Sequence, residues 1–520
     1  MIRFNCRISI FVVVFLFRII GERTAAQSTI PKGVNIALPY PVFSLDTLTS
    51  TASDAAAENI RSLIFNSLVK KSDTLENVSD LAEDIKISSD GKSVTFLLRS
   101  GVRFHNGQKL TTADVKYTFD ELFKSNGYKS GAFYSFQNSI RVQQVSSIRI
   151  ADPRTITFDL AQASYREQVL SSITSIPIVP VGSVETQKDH PVGTGPFKFV
   201  SRSEVSIDLS ANLEYWGRPA KIQSVKLIAP HTTELLWSGL LRGEVDLGFV
   251  PVASQWQSFE EIIANPKLII HRSNGSNIQY LGFNTKSRIL KNVKLRKAIA
   301  YAIDRPNIIK EVLHNNARIA DSILPPESWA FHTGTEYNFD LKRAKELIRR
   351  AGYRKEKIIL KLATGNEALV RSAKVVQTNL VSAGLKVDIE IVEANVVRMR
   401  LMQGKFDMYL GTWIGGNQDP LFLLDLFTTG KIPSSTQTCC NRSRYSNYIV
   451  DALLNSARDT SDRTVAKRLY AKAWQIISDD MPLLPLWHPS TVVIARNNLK
   501  NIKIGPNGEW TFIRDIEIAD

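Results

Sequence analysis

Cysteine and histidine are scarce in this 520-residue chain, which contains three cysteines and seven histidines. The histidines are scattered singly and no two have metal-ligand spacing, so a structural zinc or a metalloprotease helix is not supported. Beyond the N-terminal segment, the cysteines are the adjacent Cys439 and Cys440. Adjacent cysteines close only a strained vicinal ring, so we expect either two free thiols or one vicinal bridge, without a catalytic role.

Catalytic signatures are missing as well. There is no G-x-S-x-G elbow, and Gly193-Thr194-Gly195 lacks the third glycine and the following helix of a dinucleotide-binding fingerprint. At Gly91-Lys92-Ser93, Lys86 stands where a phosphate-binding loop has its first glycine. We therefore predict no catalytic residue, no metal ligand and no cofactor.

Blocks of one charge are absent, although the formal net charge is +15. Basic residues are interspersed with acidic ones and do not alternate with aromatics as in a nucleic-acid groove, so we expect a solvated surface and no nucleic-acid partner. The composition is that of a globular protein. Because the chain exceeds the size of one hydrophobic core, at least two lobes are expected.

The N-terminus has the order of a secretory signal peptide. Arg3 and Arg7 precede an apolar run from Ile8 to Phe17, and Thr24-Ala25-Ala26 offers small residues for cleavage. A run of about ten residues is too short to span a bilayer, which needs about twenty. We assign residues 1–26 to this signal and expect the mature chain in the periplasm, with an uncleaved signal anchor as the alternative.

Local patterns predict strands in the first half and an α/β lobe in the second. Alternation from Ile85 to Arg99 around Asp90-Gly91 predicts a hairpin, and Thr111 or Thr112 is predicted to cap the next helix. Later, helical patterns alternate with predicted strands from Val387 to Val392 and from Phe406 to Leu410.

A glycine-rich segment, Gly411 to Pro420, follows the last of these strands. Open α/β sheets bind ligands at the carboxyl ends of their strands. We therefore predict that the ligand contacts this segment, with Trp413 as an aromatic wall and with Ile414, Gly415, Gly416 and Asn417 beside it. The alternative is that Trp413 is a core residue and the glycines only turn the chain.

Motifs along almost the whole mature chain resemble those of the bacterial extracellular solute-binding proteins of family 5, the dipeptide and oligopeptide receptor group. In chain order they are Phe96-Leu97-Leu98-Arg99-Ser100-Gly101-Val102-Arg103-Phe104-His105-Asn106-Gly107, Asp114-Val115-Lys116-Tyr117-Thr118-Phe119, Gly193-Thr194-Gly195-Pro196-Phe197, Tyr215-Trp216-Gly217, Tyr280-Leu281-Gly282-Phe283-Asn284, Ala300-Tyr301-Ala302-Ile303-Asp304-Arg305, Trp413, and Tyr445-Ser446-Asn447.

The resemblance implies a two-lobed α/β clamshell of the periplasmic-binding-protein type, with an extra subdomain in lobe I. The implied boundaries are 27–283 for lobe I, with the subdomain at about 46–189, then 284–487 for lobe II and 488–520 for the return to lobe I. The implied function is the substrate-binding component of an ABC transporter that imports peptides or related small solutes. We expect a monomer that delivers its ligand to an inner-membrane permease and is not an enzyme.

One position departs from the family pattern. Peptide-binding relatives carry an aspartate three residues after the tryptophan that matches Trp413, where it pairs with the ligand's α-amino group, but this chain has Gly416. A frequent aromatic is also missing, at Ala394. Blocked peptides, oligosaccharides, opine-like conjugates and haem therefore stay open as ligands, and a periplasmic hydrolase is the alternative outside this function.

Three further residues complete the predicted site. Arg371 follows the turn at Thr364-Gly365-Asn366 and matches a position where some dipeptide-binding relatives present a cation to the ligand's carboxylate. We expect Arg371 and Asn366 to contact the ligand, with a surface salt bridge as the alternative for Arg371. Asp419 is a further candidate, although the family pattern favours it as the cap of a helix from Leu421.

Overall fold

The structure is a computed structural model. It describes residues 33–39, 42–52, 54–137, 140–229, 232–250, 264–415, 419–434 and 440–519.

Two large mixed sheets form the framework of this described part. The first sheet contains, in spatial order, β10 (Phe197–Arg202), β11 (Ser206–Ala211), β12 (Ser224–Ile228), β1 (Gly33–Ala37), β13 (Leu247–Val250), β21 (Thr491–Arg496) and β14 (Leu268–Ser273). The second contains β16 (Ala317–Ile319), β20 (Leu483–Pro489), β15 (Ile278–Phe283), β19 (Met408–Trp413), β17 (Lys357–Ala363) and β18 (Lys386–Val392). We call the two halves of the molecule built on these sheets lobe I and lobe II.

Lobe I also contains smaller sheets. They are the antiparallel sheet β4 (Ala82–Ile87), β5 (Ser93–Leu98), β9 (Thr155–Leu160), β8 (Val145–Ile150), and the pairs β2 (Val69–Lys71) with β3 (Asn77–Ser79), β6 (Tyr134–Gln137) with β7 (Ile140–Gln143), and β22 (Leu499–Lys500) with β23 (Glu517–Ile518).

Helices cover both sheets. They are α1 (Ala55–Ile64), α2 (Thr112–Lys124), α3 (Arg166–Ile173), α4 (Thr233–Arg242), α5 (Val293–Ala302), α6 (Arg305–Glu311), α7 (Leu341–Arg350), α8 (Glu367–Ser382), α9 (Ala394–Gln403), α10 (Phe422–Phe427), α11 (Tyr448–Asp459) and α12 (Arg463–Asp480). No helix in the described ranges is both long enough and apolar enough to cross a bilayer.

The central strands of lobe II are apolar on both faces because helices cover both sides of the sheet. Along β15 and β19, Leu281 and Leu410 point to a core that includes α5, α7 and α8. Tyr280 and Tyr409 point to the opposite core, which includes α10, α11 and α12. Successive side chains of a strand alternate between the faces of a sheet, so each strand supplies both cores.

The four-stranded sheet of lobe I contains the predicted hairpin. Ile85 pairs with Phe96 across β4 and β5, and Gly91 in the connecting turn has a left-handed backbone, with φ +70°. The next helix, α2, begins at Thr112, and Thr111 donates both its backbone N–H and its hydroxyl to the Asp114 carboxylate at 2.9 Å. Between the two predicted caps, the structure therefore selects Thr111.

The chain passes from the first sheet to the second at residues 274–277 and returns at Ser490. The first passage ends seven residues before the predicted boundary at 284, and the second lies three residues after the one at 487. The difference arises because all of β15 and the last two residues of β20 pair within the sheet of lobe II.

Strand β19 extends farther than the sequence indicates. The predicted strand ended at Leu410, but Gly411, Thr412 and Trp413 continue it by pairing with β15. Position 411 is a glycine because a Cβ there would lie only 2.8 Å from the ring of Tyr280, and not because the chain turns at this point. Among the cysteines, Cys440 is disulfide-bonded, which excludes a free thiol there, whereas Cys6 and Cys439 lie outside the described residues.

The segment Gly193-Thr194-Gly195 crosses closely over the end of α1. The Gly195 N–H donates to the Ile64 carbonyl oxygen at 2.8 Å, and a Cβ at Gly195 would lie 2.5 Å from the Ile64 carbonyl carbon. Only the missing side chain permits this approach.

Gly195→Ala is therefore expected to lower the free energy of unfolding by about 1–3 kcal/mol, because backbone has to shift to relieve the contact. Urea unfolding followed by circular dichroism measures the change. Gly131→Ala is the control, since its Cβ would meet no atom within 4 Å, and it should be close to neutral. Equal stabilities for the two variants would contradict the close packing.

Candidate functional site

A cavity of about 390 Å³ lies between the two lobes. Lobe I contributes Lys71, at the end of β2, and the segment from Gln168 to Ser175 around the end of α3. Lobe II contributes Trp413 and Gly415 at the end of β19, together with residues between Asp419 and Asp425. The size lies within the range of small-molecule sites, which is about 300–1,000 Å³.

The lobe I wall is mostly neutral and able to form hydrogen bonds. It includes Gln168, Ser171, Ser172, Thr174 and Ser175. The hydroxyl of Thr174 donates to the Ser171 carbonyl oxygen at 2.7 Å, and that of Ser175 donates to the Ser172 carbonyl oxygen at 3.0 Å. Because each of these hydroxyl groups has used its proton within the chain, it is left as an acceptor. This wall therefore suits amide or hydroxyl donors.

Trp413 forms part of the lobe II wall. Its ring is half-buried, packs against Phe422 with 4.7 Å between ring centroids, and lies 5.8 Å from the guanidinium carbon of Arg442. The indole is attached to the edge of a core cluster and also lines the cavity. Trp413 therefore belongs both to the core cluster and to the cavity wall, and its contact with a ligand stays a prediction.

The residues after Trp413 begin the predicted loop. The side chain of Ile414 is 77% exposed. Gly415 has φ +70°, and its N–H donates to the Asn277 side-chain oxygen at 3.0 Å. Gly416 and Asn417 lie outside the described residues.

Asp419 has two roles in the structure. One carboxylate oxygen accepts the Leu421 N–H at 3.0 Å, but α10 begins at Phe422 and its N-cap residue is Leu421, so Asp419 supports the turn before the helix and is not the predicted cap. The other oxygen lies 3.3 Å from the Lys71 ammonium of lobe I. This second contact is an ion pair between the lobes, and both side chains are mostly buried, at 8% exposure for Lys71 and 20% for Asp419.

Other contacts join the lobes on the same side. Arg463 of lobe II lies 3.9 Å from the Glu76 carboxylate and 3.8 Å from that of Glu167, both in lobe I. Arg166 donates to the Thr460 carbonyl oxygen at 3.3 Å. The structure therefore shows the two lobes in contact around the cavity.

Arg371 and Asn366 are not among the described residues that line this cavity. Arg371 is 42% exposed and lies 3.7 Å from Glu367 on the same helix, which is the salt bridge named above as its alternative. Asn366 caps α8, because its side chain accepts the Leu369 N–H at 2.9 Å. A ligand contact of either residue stays a prediction.

The charged groups of the cavity are already paired. Lys71 is paired with Asp419, and Asp425 lies 2.9 Å from Lys431. The described lining contains serines but neither histidine nor cysteine. In the described ranges, no three histidine, cysteine or carboxylate side chains come together as metal ligands. The arrangement can bind a small polar molecule, and its described part offers no nucleophile beside a histidine base.

Comparison with known proteins agrees with this geometry. Residues 76–434 match the family described as bacterial extracellular solute-binding proteins, family 5, middle region. The chain belongs to this family. The match confirms the resemblance inferred from the motifs, and the family consists of substrate-binding proteins.

Two curated relatives are similar to this family 5 protein along most of their length. Heme-binding protein A of Haemophilus influenzae is 28% identical over 455 residues, which cover 82% of this chain and 81% of the relative. The peptide transport periplasmic protein SapA of Salmonella typhimurium is 28% identical over 468 residues, which cover 84% and 83%. The expected function as the substrate-binding component of an ABC transporter is thus supported.

Among solved structures, the periplasmic binding protein DppA of Helicobacter pylori, in complex with the peptide STSA, is 26% identical to this family 5 protein. The match covers 94% of this chain and 99% of that chain, with a TM-score of 0.71. This confirms the predicted two-lobed α/β fold.

Reversal of the charge at Lys71 tests whether this ion pair holds the lobes together. Lys71→Asp would place two carboxylates opposite each other and destabilise the closed form by about 1–3 kcal/mol. We expect a larger radius of gyration in small-angle X-ray scattering, and we expect the double variant Lys71→Asp/Asp419→Lys to restore the compact value.

The control is Lys116→Asp, which disrupts an exposed pair with Asp120 inside lobe I and should leave the radius unchanged. An unchanged radius in Lys71→Asp would show that this ion pair does not control the separation of the lobes.

Proposed function

We propose that this protein is the extracytoplasmic receptor of an ABC importer and binds a short peptide or peptide-like solute between its lobes. The cavity with one wall from each lobe carries this proposal, because closure around a ligand is the way a clamshell receptor captures it. In this proposal the chain is exported by the signal at residues 1–26 and acts in the periplasm as a monomer. It then delivers the ligand to an inner-membrane permease.

The free edge of β19 supports a peptide as ligand. One edge of Gly411–Trp413 pairs with β15, whereas β17 pairs only with Met408 and Tyr409. The other edge therefore has no partner strand within the described residues. An extended peptide binds such an edge through main-chain hydrogen bonds and places alternate side chains in pockets.

Exposed apolar side chains follow the central strands of both lobes. Phe43, after β1, is 82% exposed, and Ile414, after β19, is 77% exposed. The carboxyl ends of such strands are where α/β sheets bind ligands. These side chains support contacts with apolar parts of the solute.

The charges of the cavity favour a solute without a free α-ammonium group. A buried ammonium needs an opposite charge, because its desolvation costs several kcal/mol. In the described lining, Asp419 is engaged by Lys71 and Asp425 by Lys431. Gly416 has no carboxylate to offer. Blocked peptides and other neutral-ended solutes are therefore the favoured ligands.

The names of the relatives support the same class of ligand, peptides and peptide-like solutes. SapA is named for peptide transport, and the DppA structure contains a peptide. One relative is named for heme, so haem is the comparison ligand in a binding screen. We further propose that the protein is not an enzyme, because the described lining contains no histidine to activate its serines.

Trp413→Ala is expected to weaken ligand binding about ten- to hundredfold, because burial of a ligand against an aromatic ring is worth about 1–3 kcal/mol. Calorimetry with a mixture of N-acetylated tripeptides measures the change. Tyr448→Ala removes an aromatic ring that is 82% exposed and outside the cavity lining, and it should bind as the native protein does. Unchanged binding by a normally folded Trp413→Ala would make this residue a core residue only.

The native protein is expected to bind free dipeptides weakly and their N-acetylated forms better. Gly416→Asp is expected to gain about tenfold in affinity for free amino termini, because it supplies the missing carboxylate. Calorimetry with free and N-acetylated peptide mixtures tests both statements, with Gly131→Asp as the control on an exposed turn. Tight binding of free dipeptides by the native protein would show that another carboxylate, such as Asp419, pairs with the α-ammonium group of the peptide.

A further inference from the structure

A second cavity, of about 890 Å³, lies in lobe II and is lined by three arginines. They are Arg398, on α9, and Arg442 and Arg444, in the segment before α11. Met399 and Met402 provide apolar surface between them. The described lining contains no carboxylate, so the cavity combines a high density of positive charge with methionine side chains.

Arg442 connects this cavity to the ligand site. Its guanidinium carbon lies 5.8 Å from the centre of the Trp413 ring, and Trp413 lines the cavity between the lobes. Cation–π contact of this kind holds a guanidinium in place without neutralising its charge. Arg442 therefore lies beside a residue that lines the proposed ligand site.

The other partners of Arg442 are neutral. Its charge acts on the phenols of Tyr280 and Tyr409 and lowers their pKa, but burial has the larger effect and raises the pKa of both. The two phenols stay protonated and supply no negative charge. The Nε atom of Arg442 is buried and has no hydrogen-bond partner within the described residues.

Arg398 and Arg444 add positive charge for which the described lining supplies no carboxylate. Arg398 is exposed, and Arg444 donates to the Met402 carbonyl oxygen at 2.7 Å, which again is a neutral partner. A half-buried guanidinium without a counter-charge is costly, and a planar carboxylate satisfies it with paired hydrogen bonds. The cluster therefore has the chemistry of an anion-binding site.

We propose that Arg398, Arg442 and Arg444 form a subsite that binds a carboxylate group of the imported solute, next to the indole of Trp413. Met399 and Met402 contact an apolar part of the solute beside that carboxylate. The subsite rests on the proposed function, since the solute must enter between the lobes to reach Trp413. Together with Gly416, it predicts a ligand that is neutral at one end and acidic at the other.

The test compares the binding of two carboxylic acids with the binding of their neutral amides. The first pair is N-acetyl-alanyl-leucine and its C-terminal amide, and the second is hexanoate and hexanamide. Dissociation constants are measured by calorimetry or by ligand-observed NMR for the native protein and for Arg442→Gln, Arg398→Gln and Arg400→Gln. Arg400→Gln is the matched control, because this arginine lies on α9 but pairs with Glu390 and does not line the cavity.

We expect the native protein to prefer the acid over the amide by about tenfold in at least one pair, as charged hydrogen bonds allow. Arg442→Gln should reduce this preference to less than about twofold, while Arg400→Gln retains it. If Arg442→Gln does not fold, the exposed Arg398→Gln decides, and a drop of at least about threefold supports the subsite.

Failure of the subsite and failure of the peptide proposal give different results. If neither peptide binds but hexanoate is preferred and the preference depends on Arg442, the peptide proposal fails and the subsite stands. The absence of any preference for the acid in both pairs, or a preference that survives the deciding variant, overturns the subsite. A role for Arg442 only in positioning Trp413 would lower the affinity for acid and amide equally, and that result also overturns it.

Discussion

Two short stretches of chain run side by side between the lobes, and the ligand site depends on them. The chain leaves the first sheet after Ser273, which pairs with Thr491 of the returning stretch, and it enters the second at Ile278. Gly275 lies so close to Pro489 that a side chain there would collide with the Pro489 carbonyl oxygen. Because only these paired passages connect the two sheets in the described chain, the lobes can rotate about them as about a hinge.

In the cavity between the lobes, each lobe contributes a different kind of chemical group. Lobe I offers neutral acceptors such as Thr174, whereas lobe II offers the indole of Trp413, a free strand edge and the arginine subsite around Arg442. The Lys71–Asp419 ion pair closes one side of the cleft and occupies the carboxylate that a free peptide terminus would need. In the proposed function, Asp419 therefore contributes both to closure of the lobes and to the choice of ligand.

Local sequence patterns were sufficient for the elements whose signals lie within a few residues. The Asp90-Gly91 hairpin and the Thr111 cap formed as predicted, because turn and cap chemistry is short-range. The predicted strand end at Leu410 was wrong, because Gly411 continues the strand and its missing side chain makes room for Tyr280 of the neighbouring strand. Lys71 and Asp419 are 348 positions apart, and no local pattern pairs them. The three arginines of the second cavity were missed for the same reason, because they come from two separate segments.

The central claim is that a small solute is held between the lobes and is not converted. Native mass spectrometry of the mature protein, exported to a bacterial periplasm and purified without denaturation, tests this claim most directly. The account predicts one non-covalent solute per chain, released unchanged when the protein unfolds, with the mass of a short peptide or related molecule that carries an acidic group. Two results would contradict this claim. One is a spectrum that shows only the unliganded protein after incubation with peptide mixtures, and the other is cleavage of the added peptides.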